Sequence, residues 1–191
     1  RGAPRARRAD RAGLRGRRRN APCRRAEGRG DWQLSAEFPL DIDVIRNDDA
    51  WPEGLEALAE RAVTEALAQS GAELSGPAEL SIVLTDDAEQ RELNRQWRDK
   101  DSSTNVLSFP QIEPFGRVEG LLGDITLARE TVAREAEELG KSLDHHFTHL
   151  VVHGFLHILG YDHIEETEAL QMEGLETQIL ARLGVDDPYA D

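Results

Sequence analysis

Apolar and acidic positions alternate over residues 40–45 (Leu40, Asp41, Ile42, Asp43, Val44, Ile45), and a period of two predicts a strand there. The period then lengthens. Leu55, Leu58, Ala59, Ala62, Val63, Ala66 and Leu67 recur at helical spacing, which predicts an amphipathic helix over residues 53–69. Gly and Pro mark residues 71–77 as a loop, and the apolar run at 79–85 predicts a second strand. Asp86 followed by Glu89 is a variant capping box, opening a short helix that runs through Trp97. Residues 105–109 predict a third strand, stopped by Pro110. A loop follows over 111–120, then a fourth strand at 123–128 and a polar helix at 129–139. Over 142–159 so few positions are polar that the helix expected there must be buried on most sides. Residues 165–183 predict a last amphipathic helix with glutamates on its outer face. Four strands among five helices predict an α/β or α+β class, a small four-stranded mixed sheet packed with about five helices. No internal repeat is visible.

The chain has 191 residues, enough for one domain with a real core. It has one cysteine, Cys23, so no internal disulfide can form, and a reducing, cytoplasmic setting is expected. No apolar run is as long as a membrane span, and no secretory leader is visible, so no membrane partner is expected. The net charge of −14 conceals a division. Residues 1–30 carry 12 Arg against Asp10 and Glu27, a balance of +10, so the remainder carries −24. That acidic body repels polyanions at long range and counts against broad nucleic-acid binding, although a local basic cleft can overcome it. Arg, Ala, Gly and Pro make up 25 of the first 30 residues, with no visible period, so a disordered basic extension is expected over residues 1–36 and the working domain over 37–191. The extension reads as sequence upstream of the natural start, as a basic arm touching RNA, or as an Arg-rich transit peptide that lacks serine.

The densest chemistry lies in His153-Gly154-Phe155-Leu156-His157-Ile158-Leu159-Gly160-Tyr161-Asp162-His163. Histidines four apart on a helix lie roughly 5–6 Å apart at Cβ, close enough for both rings to reach one ion at about 2.0–2.1 Å. Gly160 can end the helix in a left-handed conformation, and the turn can bring His163 to the same ion. Three imidazoles leave a fourth position for water, the catalytic form of a zinc site. His149, His153 and His157 form a ladder, but one ion cannot take all three, because eight residues span about 12 Å of helix axis. Only His153 and His157 are followed at once by the glycine turn and His163, so His149 is expected beside the site rather than on the metal. His145 and His146 are expected at the surface. The spacing is similar to that of metzincin proteases, H-E-x-x-H-x-x-G-x-x-H, and suggests a zincin-like metal helix. Gly154, however, stands where those proteases carry their glutamate base. Glycine there would serve either close approach of a substrate or strand backbone, or tight helix packing.

A second segment, Asn94 to Pro110, gathers Arg95, Arg98 and Lys100 around a turn in a body otherwise poor in basic groups. The planar fork of arginine suits phosphate. The same residues would also make an ordinary solvated helix end paired with Asp99 and Asp101.

Together these segments resemble the YbeY family of bacterial endoribonucleases, the rRNA maturation factors. The matching stretches are WRDKDSSTNVLSFP (Trp97 to Pro110), GDI (Gly123 to Ile125) and HLVVHGFLHILGYDH (His149 to His163). The similarity runs from about Leu40 to Tyr189, and residues 1–36 fall outside it. The resemblance implies a single α/β domain related to zinc-dependent hydrolases, with one Zn2+ per chain held by His153, His157 and His163. It implies cleavage of single-stranded RNA, with roles in maturing the 3′ end of 16S rRNA and in ribosome quality control, and hence the small ribosomal subunit or its assembly factors as partners. Arg98 matches the family arginine associated with activity.

The expected chemistry is metal-assisted phosphodiester hydrolysis, in which zinc lowers the pKa of a water toward about 7 and Arg98 or the ion stabilises charge on the phosphoryl oxygens. Lys100 and His149 are further candidates for substrate binding or support. Asp162 would either orient a ligand or water, or cap the turn. With Gly154 in place of glutamate, the general base is unassigned. Two other classes stay open, a zinc peptidase and a non-catalytic ribosome assembly factor with structural zinc. Three imidazoles also suit nickel, copper or iron.

Overall fold

The computed structural model describes residues 38–189; the basic extension assigned to residues 1–36 lies outside the described residues. Four strands and five helices follow one another as β1 (Leu40–Arg46), α1 (Leu55–Ser70), β2 (Leu74–Thr85), α2 (Asp87–Arg98), β3 (Val106–Pro110), β4 (Val118–Ala128), α3 (Arg129–Glu138), α4 (Leu143–Leu159) and α5 (Glu166–Leu183). The sheet has the order β1-β2-β4-β3. β1 and β4 run parallel to β2, and β3 runs antiparallel to β4, so the sheet is mixed and β3 is an edge strand beside α4. This is the α+β arrangement of four strands and five helices that the pattern of periods predicts.

Successive side chains on a strand point to opposite faces, and this sorts the helices. Ile125 meets Gly154 of α4, whereas Thr126 exchanges hydrogen bonds with Gln90 of α2, so α4 and α2 cover opposite faces of β4. The core lies mainly on the α4 side and includes Leu80, Ile82, Leu84, Phe147, Val151, Phe155 and Ile158. Phe147 and Phe155 are fully buried, each contributing about 1.5–3 kcal/mol by leaving water.

Local chemistry sets two of the helix starts. The Asp86 carboxylate accepts the Glu89 backbone N–H at 2.8 Å and starts α2. Ser142 Oγ accepts the His145 N–H at 3.2 Å and starts α4. Ala128, which precedes α3, has no capping side chain. Asp87, in the first turn of α2, accepts both the backbone N–H and the hydroxyl of Thr131 instead. Glu130 accepts the Asp87 N–H in return, so two helix starts are satisfied by each other.

Two loops are shorter than the sequence predicts. β2 begins at Leu74 and β4 at Val118, inside the stretches 71–77 and 111–120 expected to be irregular. Gly76 and Pro77, the turn signals, fall at a register shift between Leu74 and Ala78. A bulge there relieves proline of the ladder N–H it lacks. Gly123 has φ +147, and a Cβ on it would lie 2.4 Å from the Phe109 carbonyl oxygen, so β3 approaches β4 closely only because this residue is glycine. Among the described residues no helix is long and apolar enough to cross a membrane.

Candidate metal centre

α4 and the turn after it bring His153, His157 and His163 together, their ligand atoms all within 4.8 Å of one another. The Nε2 atoms of His153 and His157 are 3.1 Å apart. Two nitrogens at about 2.05 Å on a tetrahedral ion stand about 3.3 Å apart, so this pair already has the spacing of two ligands on one metal. His163 is supplied by the chain reversal at Gly160, which has φ +106. The N–H groups of Gly160 and Tyr161 return to the His157 and Leu156 carbonyls and finish the helix in a Schellman-type cap. Asp162 Oδ1 accepts the His163 backbone N–H at 2.8 Å, so this carboxylate caps the turn that carries the third histidine.

The other ring nitrogens determine which atoms face one another. His153 Nδ1 lies 2.7 Å from Glu176 Oε1, and His157 Nδ1 lies 2.9 Å from the Tyr161 carbonyl oxygen. A carbonyl and an ionised carboxylate can only accept, so both imidazoles must carry their proton on Nδ1. Their Nε2 lone pairs then point at each other across 3.1 Å with no hydrogen between them. That contact is repulsive in a neutral pair and attractive around a cation. Burial, reinforced by neighbouring His153, pushes His157 down to about 4, so it is neutral and available as a ligand at neutral pH.

Glu176 of α5 is wholly buried. Burial by itself would raise its pKa, but hydrogen bonds from His149 and His153, joined by the Tyr189 hydroxyl, reverse this and hold the carboxyl down at about 2. Tyr189 O–H donates to Oε2, and its own pKa is raised by burial and by that carboxylate. A carboxylate behind a histidine fixes the ring and raises its basicity toward a metal. Sequence reasoning missed Glu176 and Tyr189. A signal for Glu176 was present: Met172, Glu176, Ile179 and Leu180 form the buried stripe of α5, and an acid among three apolar residues on such a stripe needs a partner.

The remaining candidates divide. His149 stays outside the cluster, with Nε2 at 3.4 Å from Glu176 Oε2 on the far side of that carboxylate. His146, expected at the surface, is only 3% exposed. It faces α3, where Glu135 lies 2.9 Å from its Nε2, and Asn105 donates to the same Glu135 oxygen. A helix covered on most sides gives even its first turn a buried face. Gly154 packs α4 against the sheet: a Cβ there would lie 3.0 Å from Ile125 Cγ2, 3.1 Å from Ser108 Oγ and 3.3 Å from Val106 Cγ2. Of the readings open for that glycine, tight packing against the strands is the one observed. Arg98 and Lys100 are exposed at the end of α2 and make no contact with the histidines. Arg91 takes Asp101, and Arg95 takes Glu92, leaving the side chains of Arg98 and Lys100 without a partner among the described residues. Trp97, next to Arg98, rests edge-on against Phe109 of β3, and the neighbouring Ser108 donates to the Gly154 carbonyl beside His153.

The family model described as Endoribonuclease YbeY matches residues 42–184. Over 160 residues the chain is 52% identical to Endoribonuclease YbeY of Agrobacterium fabrum, covering 79% of this chain and 95% of that protein. It is 54% identical over 155 residues to Endoribonuclease YbeY of Azorhizobium caulinodans, covering 79% and 97%. A solution structure from Thermotoga maritima is similar at 23% identity and a TM-score of 0.48, over 78% of this chain and 99% of that one.

Proposed function

This chain belongs to the YbeY family of endoribonucleases, and on that premise we propose that it cleaves single-stranded RNA with a zinc ion held by His153, His157 and His163. The observation that supports this most is the pair of bare Nε2 atoms 3.1 Å apart, each ring turned by an acceptor on its other nitrogen. Zinc in that position would supply Lewis acidity and a water nucleophile of lowered pKa. His153 and His157 enter as neutral ligands oriented by Glu176 and the Tyr161 carbonyl. Arg98, free of ion pairs among the described residues, offers its fork to the non-bridging phosphoryl oxygens and stabilises the charge that grows there. Lys100 adds a second phosphate contact beside it. The substrate we infer is ribosomal RNA, in maturation of the 16S 3′ end and in quality control of the small subunit, in the cytoplasm. Ribosome assembly factors would be its partners.

The test is metal analysis and cleavage of single-stranded RNA, double-stranded RNA and casein by the same untagged preparations. His157→Ala loses metal and single-strand cleavage together. Arg98→Glu keeps the metal and loses at least tenfold in RNA turnover. Cleavage that persists without metal would refute the metal site, and unchanged turnover in Arg98→Glu would remove that arginine from the mechanism.

A further inference from the structure

The loop between β3 and β4 puts an aromatic ring in the open where the backbone favours none. Glu113, Pro114, Phe115 and Gly116 form a turn closed by the Gly116 N–H on the Glu113 carbonyl at 2.9 Å. Phe115 is its third residue and has φ +54. With proline second, a positive φ at the third position is ordinarily met by glycine, and a phenylalanine there is strained. The chain nevertheless carries Phe115 at that position and its glycine one place later. The ring is 69% exposed, so burial does not compensate for the strain.

The turn is also firmly held, and it is held to the metal helix. The Phe115 N–H donates to the Leu159 carbonyl at 2.9 Å. Gly160 abuts Pro114 so closely that a Cβ would lie 2.6 Å from the Pro114 Cα. Gly160 ends the helix that carries both His153 and His157, one turn past His157. The Phe115 and Tyr161 rings meet edge to face with centroids 5.1 Å apart, and the Tyr161 carbonyl accepts from His157. Such a contact covers at most one face of the Phe115 ring. Beside the two rings lies a cleft of about 190 Å³, lined also by Ser70 and Glu73.

We propose that Phe115 is a stacking platform for one unpaired nucleobase of the RNA, a nucleotide or two from the phosphate held at the histidines. Aromatic faces bind successive bases of single strands without regard to sequence. A base already stacked in a duplex cannot use this face, so the platform favours unpaired RNA. Arg98 and Lys100 supply few phosphate contacts for an acidic protein, and a stacked base adds binding that does not depend on charge. The inference rests on the endoribonuclease reading of the histidine centre.

The test uses the metal-loaded full chain and a single-stranded RNA oligonucleotide, with metal content measured for every variant. Phe115→Ala and Phe115→Leu should each raise KM about tenfold, while kcat changes less than threefold and metal content not at all. Leucine keeps the apolar bulk and lacks the flat face, so it separates stacking from general hydrophobic contact. Removing single bases from the oligonucleotide near the cleaved bond should weaken binding by the native protein at one position and have little further effect on Phe115→Ala. In Phe115→Trp the indole emission should be quenched as RNA binds. KM within twofold of native for both Ala and Leu, or equal sensitivity of native and Phe115→Ala to every missing base, would overturn the platform and leave the metal centre standing. A native protein that holds metal and neither binds nor cleaves the oligonucleotide would overturn the reading of the centre and the platform with it.

Discussion

Glu176 shows how one buried charge organises the centre. It is the acceptor that fixes the His153 proton on Nδ1, and its other oxygen is shared by Tyr189 and, more distantly, His149. Glutamine in its place keeps the shape, removes the charge and lets a donor face one of the rings. Glu176→Gln should therefore lower metal affinity by about 10- to 100-fold, the usual effect of losing an outer-shell partner. Competition against a chelator measures this directly, and an affinity within twofold of native would show that Glu176 only fills space. Arg98 illustrates the opposite condition. Its neighbours Arg91 and Arg95 are neutralised by Asp101 and Glu92, while its own guanidinium has no partner among the described residues. The candidate ligands were legible at this scale because i, i+4 spacing followed by glycine is a local pattern. Glu176 and the pairing state of Arg98 were not, because each depends on which distant side chains arrive.

At the scale of elements, α4 and the turn after it work as one unit. Ser142 starts the helix, Gly154 lets it lie against β3 and β4, and Gly160 stops it and turns the chain toward His163. Gly160→Ala would meet Pro114 at 2.6 Å in a backbone conformation that disfavours any Cβ. It should cost about 1–3 kcal/mol of stability and weaken metal binding as well, since the displaced turn carries the third histidine. Thermal unfolding with and without metal tests both parts, and a variant that melts and binds as the native protein does would show that the turn is not constrained as described. Element ends fixed by short-range capping at Asp86 and Gly160 were visible in advance. The extra residues at the starts of β2 and β4 were not. Gly76 and Pro77 carry the same local signal in a loop as in a bulge, and only pairing with β4 distinguishes the two.

For the whole molecule, the buried ionisable groups make stability depend on acid in two ranges. His157 ordinarily titrates at 6.5 and is held to about 4 in the fold. The unfolded chain therefore takes up that proton first, and the stability His157 contributes, complete above 6.5, is lost as pH falls from there toward 4. His146, lowered by burial against the opposing pull of Glu135, acts in the same direction. Glu176 is held at about 2 against an ordinary 4.5, so a second loss begins below 4.5. The melting temperature of metal-free protein should fall from pH 7.5 to 4.5, and the stabilisation given by added zinc should shrink over the same range as protons compete for the imidazoles. A melting temperature that stays flat across that interval would mean the histidines are not held neutral. The same scale governs substrate approach: a net charge of −14 repels RNA at a distance, so binding must rely on short-range contacts.

The sequence by itself determined what local periodicity and local chirality can encode: the succession of strands and helices, the glycine end of α4, and two histidines one turn apart followed by a third. These follow from 3.6 residues per turn and from the conformational freedom of glycine, which act within a few residues. The tertiary structure alone decided that a glutamate on another helix sets the histidine tautomer, that His146 is buried, that the Arg98 side chain lacks a partner among the described residues, and that Phe115 is held exposed against the end of α4. Each of these depends on groups far apart along the chain, whose meeting is settled by how the helices pack on the sheet.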